Sequence, residues 1–466
     1  MGKKIMFILL VGLILLSVVP AEETKSVRAT RKWVKQNGHS ILQDFTHLLS
    51  MPNVASNHKD IRNNAEYISN LFQKRGFDMQ LLELEGANPI VYGEYKVPGA
   101  IRTLCFYVHY DGQPVDPTKW AHGPFTPVLY SGAMDGGGKP IALPSRGDKI
   151  DPEWRIYGRS AGDDKAPIIT ILNAVDALQS SKIGFTSNIK LFFEGEEEAG
   201  STNLKAHLLN NKNLLDDIDI WLFCDGPVHQ SRRPQLVFGV RGVTGMEVTV
   251  YGATRALHSG HYGNWAPVPG QMLARLIASM KNEDGKVLIE NFYDTVEPLS
   301  EFERLELAKI PNVDMQLKNE LGLAFTEGEG RTINERLLLP SLTIKGLASG
   351  NVGKKARNVI PNTATTAIGV RLVKGNDPED MLDKVESHIR KQGYHIVYTE
   401  PDMETRLKYR KIAKVDRRGS GYIASRTSMQ EPHAKTIINA VRNFVSDELI
   451  LMPALGGSLP LYLFTD

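Results

Sequence analysis

The stretch Ile189-Lys190-Leu191-Phe192-Phe193-Glu194-Gly195-Glu196-Glu197-Glu198-Ala199-Gly200-Ser201 decides how this chain is read. An apolar run fit for a buried strand passes straight into four carboxylates and stops at a small-residue turn. A solvated acidic loop has this composition. So does a strand end that holds two adjacent carboxylates at a metal site, one as ligand and one as proton shuttle. The choice depends on whether other strand ends supply matching ligands.

Upstream, the strand-like run Thr103–Val108 leads into Val108-His109-Tyr110-Asp111-Gly112-Gln113-Pro114-Val115. A histidine at a strand exit is well placed as a ligand, because open α/β sheets bind at strand carboxyl ends. Asp111 projects to the same side and can accept the other imidazole N–H, which sets the tautomer. A lone His-x-Asp is a weak signal. Next, Gly158-Arg159-Ser160-Ala161-Gly162-Asp163-Asp164-Lys165-Ala166-Pro167 enters the helical run Ile168–Leu178. Asp163 either caps that helix or bridges two metals from its entrance. Beyond the acidic run, the strand Ile218–Phe223 ends in Cys224-Asp225-Gly226-Pro227. Three strand ends and one helix start thus offer His109, Asp163, Glu197 or Glu198, and Asp225. Together they are far more specific than any one of them.

Helical spacing over 27–77, then short apolar runs at Met79–Leu84, Ile90–Tyr95 and Thr103–Val108, predict an α/β layer with a mostly parallel sheet. Near Phe238 the grammar changes. The alternating run Val240–Val250, a helix at Gln271–Met280, strands at Leu342–Ile344 and Thr365–Leu372, and an amphipathic helix over Asp377–Gln392 predict an inserted α+β domain. The expected division is a catalytic domain in two parts, 26–238 and 402–466, around an insertion at 239–401. Ser131–Asp148 reads as a surface loop.

The 466 residues suffice for two cores, and 42% hydrophobic with 23% charged residues is ordinary globular composition. A net charge of +2 and the lack of a basic tract argue against nucleic acid as a partner. Lys3 and Lys4 before the apolar run Ile5–Val19, then Val19-Pro20-Ala21, read as a secretory signal over 1–21, and the run is short for a membrane span. Export to a periplasmic or extracellular location is expected, an uncleaved anchor being the alternative. Cys105 and Cys224 sit in strand-like segments, as buried thiols or as one disulfide.

With His109-Tyr110-Asp111, the Gly158–Lys165 run, Glu194-Gly195-x-Glu197-Glu198-x-Gly200-Ser201, Asp225 and His258-Ser259-Gly260 in order, the chain resembles the co-catalytic di-zinc exopeptidases. These include carnosinase-type dipeptidases, glutamate carboxypeptidase, aminoacylase and succinyl-diaminopimelate desuccinylase. The form of the acidic run and the long insertion are most similar to the carnosinase type. The resemblance implies a zinc-exopeptidase catalytic domain with a lid and dimerisation domain, two Zn2+ per subunit and a homodimer. It makes Asp163 the bridging carboxylate and gives His109 and Asp225 to one zinc. Glu198 and a C-terminal histidine would hold the other. Glu197 becomes the general base, Asp111 the support of His109, and the peptide after Asp163 is expected to be cis. Charge is consistent with this: Asp163, Glu198, Asp225 and a hydroxide would neutralise two Zn2+.

By the same resemblance His258 reaches the partner subunit's active site and polarises the scissile carbonyl; the plain alternative is a surface histidine in a Gly-rich turn. Arg371 and Asn358 match positions that hold the substrate's free carboxylate, and Gly457 and Ser458, in Gly456-Gly457-Ser458, match a loop at the substrate end. Arginine's planar fork suits a carboxylate, although a structural salt bridge would also account for Arg371. The family's last zinc ligand follows that loop, whereas no histidine follows His433 in this chain. A truncated version of a longer enzyme, with a weakened second zinc, is therefore expected. The resulting expectation is an exported di-zinc dipeptidase that hydrolyses an amide next to a free carboxylate. An N-acyl amino acid deacylase or desuccinylase would use the same residues, and an inactive binding or assembly protein is the rival from another class.

Overall fold

A computed structural model describes residues 24–417, 419, 421–445 and 449–465. The expected signal over 1–21 lies outside these residues.

The helical region divides in two, because Pro52 follows the Met51 cap and cannot continue a helix. Helix α1 (Lys25–Ser50) opens on Thr24, whose hydroxyl accepts the Val27 N–H, and α2 (His58–Gln73) opens on Asn57. The chain then forms β1 (Asp78–Leu82), β2 (Ile90–Tyr95), β3 (Thr103–His109), α3 (Lys165–Ser180), β4 (Asn188–Glu194) and β5 (Ile220–Phe223). Their sheet runs β1-β2-β4-β3-β5. Strands β4, β3 and β5 are parallel, while β2 is antiparallel to both its neighbours.

The acidic stretch rises out of β4, which is buried on both faces. Leu191 and Phe193 join Leu48, Ile68, Phe72, Val108 and Leu172 beneath the helices. Phe192 points the other way, into Tyr92, Tyr107 and Cys105, with Trp221, Phe223 and Phe464 packed alongside. That double burial explains an unbroken apolar run rather than an alternating one. Because β3, β4 and β5 are parallel, the turns after His109, Glu194 and Phe223 leave the sheet at one edge. Between Val128 and Tyr157, two short antiparallel pairings flank the Gly-rich loop. Cys105 and Cys224 are free thiols.

The second domain is a sheet of β6 (Gly242–Tyr251), β7 (Ser341–Ala348), β8 (Thr363–Leu372), β9 (His395–Val397) and β10 (Ile412–Arg417), in the order β7-β8-β6-β10-β9. Helices Pro269–Ala278 and Pro378–Lys391 bring Leu273, Leu276, Leu382, Val385 and Ile389 onto Met246, Val248 and Val250. Strand β10 corrects the expected return at 402. It pairs with β6 over Ala413–Arg417 and so belongs to the insertion's sheet. The chain rejoins the first domain later, where Ile450–Met452 pairs in parallel with Gln235–Val237. Among the described residues no helix is long and apolar enough to cross a membrane.

Candidate metal centre

Strand β3 delivers His109 fully buried at its end, with Asp111 equally buried two residues on. His109 Nε2 stands 2.8 Å from Asp163 Oδ1, and 3.9 Å from both Asp225 Oδ2 and Glu197 Oε2. Its Nδ1 lies 3.4 Å from Asp111 Oδ1. Ligand atoms of His109, Asp163 and Asp225 all fall within 4.8 Å of one another. Glu198 is outside that group; its Oε2 accepts a hydrogen bond from Gln113 Nε2 at 2.6 Å.

Local structure explains the convergence. The Asp163–Asp164 peptide is cis, as the resemblance implies. Asp163 does not cap α3. The N-cap residue is Asp164, and its side chain makes no cap hydrogen bond; instead it accepts the His109 backbone N–H at 3.2 Å. Lys165 follows, fully buried, and its Nζ donates to the Leu48 and Met51 carbonyls at 2.9 Å each, tying the start of α3 to the end of α1. Asp111 has a second duty. Its carboxylate accepts the backbone N–H groups of Glu197 and Glu198 at 3.1 and 3.0 Å, so it holds the acidic turn as well as the imidazole.

These groups crowd negative charge into a poorly hydrated space. Burial pushes Glu197 up to about 7 and Asp225 up to about 6, and the neighbouring carboxylates add to both shifts. For His109, burial alone would lower the proton affinity, but the nearby Asp111 carboxylate, the hydrogen bond to Asp163 and the surrounding carboxylates raise it to about 12. One imidazole among so many carboxylates leaves negative charge for a cation to balance. An imidazole nitrogen with carboxylate oxygens is also a donor set that zinc favours. The residues therefore fit a divalent metal held by His109, Asp163 and Asp225.

The remaining expected residues form two further groups. Arg371 donates from Nη1 to Ser458 Oγ, and the Arg241 N–H pins Gly457 by its carbonyl at 3.1 Å. On the second domain, Leu257–His258 pairs with Val359–Ile360, and the Asn358 carbonyl accepts the Ser259 N–H at 3.0 Å. His258 and Asn358 are thus neighbours, both exposed. Among the described residues no hydrogen bond or ion pair joins them to the His109 group. Gln113 and Asp164 were missed as partners of the site, although both lie inside the motifs quoted above. Each is a polar residue whose partner is set only by tertiary contact.

Residues 238–397 match a peptidase dimerisation domain. Over 340 residues the chain is 26% identical to the Cys-Gly metallodipeptidase of Schizosaccharomyces pombe, covering 70% of this chain and 67% of that protein. Over 308 residues it is 28% identical to the Beta-Ala-His dipeptidase of Mus musculus, covering 65% and 58%. The chain thus spans about three fifths to two thirds of these relatives' length. A metallo-carboxypeptidase from Sulfolobus solfataricus superposes with a TM-score of 0.69 at 28% identity, covering 91% of this chain and 88% of that one. Human carnosine dipeptidase 1 shares the fold, with a TM-score of 0.70 at 20% identity over 95% and 90% of the two chains. In its motifs, its fold and its inserted domain, the chain is similar to the M20 metallopeptidases.

Proposed function

We propose that this protein is an exported, zinc-dependent dipeptidase that works as a homodimer and cleaves an amide next to a free carboxylate. One observation carries the reading: the Glu197 carboxylate stands 3.9 Å from His109 Nε2, yet lies outside the ligand group His109, Asp163 and Asp225. A carboxylate at that position is free to move protons. A bound metal supplies Lewis acidity toward the carbonyl and makes water a better acid. Glu197 takes the proton from the attacking water and passes it to the leaving amine. Arg371, held by Ser458, receives the substrate's carboxylate. His258 lies exposed on the domain that matches a peptidase dimerisation domain, and in a dimer it is offered to the cleft of the second copy.

The dipeptidase names of the relatives support a dipeptide substrate, and the apolar run Ile5–Val19 supports export. The test is a panel of dipeptides assayed beside N-acyl amino acids, with zinc added to metal-stripped protein. Zinc-restored hydrolysis of dipeptides is expected. Turnover confined to the N-acyl set would replace the dipeptidase reading with a deacylase, and no turnover of either would favour a binding role.

A further inference from the structure

Val243 in β6 has two partners, one on each side. It lies opposite Arg371 of β8 in the antiparallel register. On the other side it bridges to Tyr422, with N–H to carbonyl bonds of 3.0 Å in both directions. Residues directly opposite in antiparallel pairs project to the same face with Cβ atoms about 5 Å apart. Arg371, Val243 and Tyr422 are therefore a row on one face of the sheet, with two long polar side chains flanking a short apolar one. The close approach is built in, since a Cβ on Gly242 would meet the Tyr422 carbonyl at 2.4 Å. Ser458, the acceptor of the Arg371 hydrogen bond, comes from a loop anchored by the Arg241 N–H. The Tyr422 ring stacks on Tyr462 at 5.6 Å and 18°, which fixes its direction.

We infer that Tyr422 is a further substrate-positioning residue, whose hydroxyl joins Arg371 and Ser458 in gripping the carboxylate-bearing end of the substrate. This rests on the dipeptidase reading for the identity of the ligand. The neighbours of the hydroxyl agree with the geometry. Burial pushes its proton affinity up, Ser458 and the Arg371 cation pull it down, and the Glu197 carboxylate raises it. The same hydroxyl thus feels both the Arg371–Ser458 pair and the Glu197 carboxylate. A phenol O–H donates to a carboxylate without adding charge, so it shares the anion with arginine rather than competing for it.

Tyr422→Phe removes the hydroxyl and keeps the stack on Tyr462. In the zinc-loaded full chain, KM for a dipeptide should rise about tenfold, the loss of one charge-assisted hydrogen bond, while kcat stays within about threefold. The amidated dipeptide, which lacks the carboxylate, should be indifferent to the substitution. A second measurement does not need turnover: calorimetric binding of the dipeptide and its amide to Glu197→Gln protein, with and without Tyr422→Phe. Selective weakening of the free acid is expected. If Tyr422→Phe changes neither KM nor affinity, or weakens acid and amide alike, the inference is overturned, whatever the wild-type assay shows. Failure of wild-type hydrolysis with Tyr422-dependent binding of the free acid would instead overturn the dipeptidase reading alone. Absence of both turnover and binding would overturn the two together.

Discussion

Asp111 accepts the backbone N–H of Glu198 at 3.0 Å, and through the same carboxylate the N–H of Glu197 at 3.1 Å. The residue beside the histidine ligand therefore also sets where the acidic turn sits. Asp111→Asn can accept at only one of its two side-chain positions and leaves a part-buried N–H of the acidic turn unpaired, a cost of about 1 kcal/mol. Zinc affinity should fall roughly 10- to 100-fold with the fold intact by circular dichroism. Calorimetric titration of metal-stripped protein checks this, and unchanged affinity would remove the positioning role.

Glu197 and Glu198 are neighbours with different surroundings. Glu197→Gln should lower kcat by roughly 100- to 10,000-fold while bound zinc, counted by elemental analysis, stays at the wild-type level. Glu198 stands outside the His109, Asp163 and Asp225 group, so if it holds the second zinc that the resemblance implies, Glu198→Ala should lower the bound zinc from two ions toward one. A Glu197→Gln protein that keeps its rate would disprove the assignment of the base.

Metal should also stabilise the folded chain. Zinc at about a hundred times its dissociation constant adds about 2.7 kcal/mol to a protein that binds it only when folded. Thermal melts with chelator and with zinc should therefore differ for the wild type. For His109→Ala or Asp225→Asn the difference should vanish, because each removes a member of the only ligand cluster found among the described residues.

If His258 serves the other subunit, two dead variants should rescue each other. Glu197→Gln and His258→Ala proteins, unfolded together and refolded as mixed dimers, should regain roughly a quarter of the wild-type rate, since half of the dimers carry one intact site. Rescue that fails in demonstrably mixed dimers would place His258 in its own subunit's site or in none.

Lys165 yields a pH prediction for stability. Burial depresses its amine to about 7, whereas the unfolded chain keeps a value near 10.5. Between those values the unfolded state binds a proton that the folded state does not, so stability rises with pH across the window and is lost as pH falls toward 7. Denaturant titrations at several pH values should show the wild type gaining on Lys165→Met as pH rises. A flat difference would mean that the buried amine stays charged.

The strongest features of the site were legible in the sequence because they are local. An apolar run too long to alternate marked β4 as buried on both faces, and His109, Asp163 and Asp225 stood at the ends of recognisable elements. Asp163 could still have been a helix cap in the sequence; the 2.8 Å approach to His109, with Asp164 at the N-cap position, decided otherwise. Strand β10 was assigned to the wrong domain, because a short strand carries no label for its partner, and only its register with β6 does. The row Arg371–Val243–Tyr422 and the two N–H groups on Asp111 were illegible for the same reason. The sequence by itself determined which residues could bind a metal and move a proton. Tertiary structure alone decided which of them meet, since side chains far apart in the chain are brought together only by strand register and core packing.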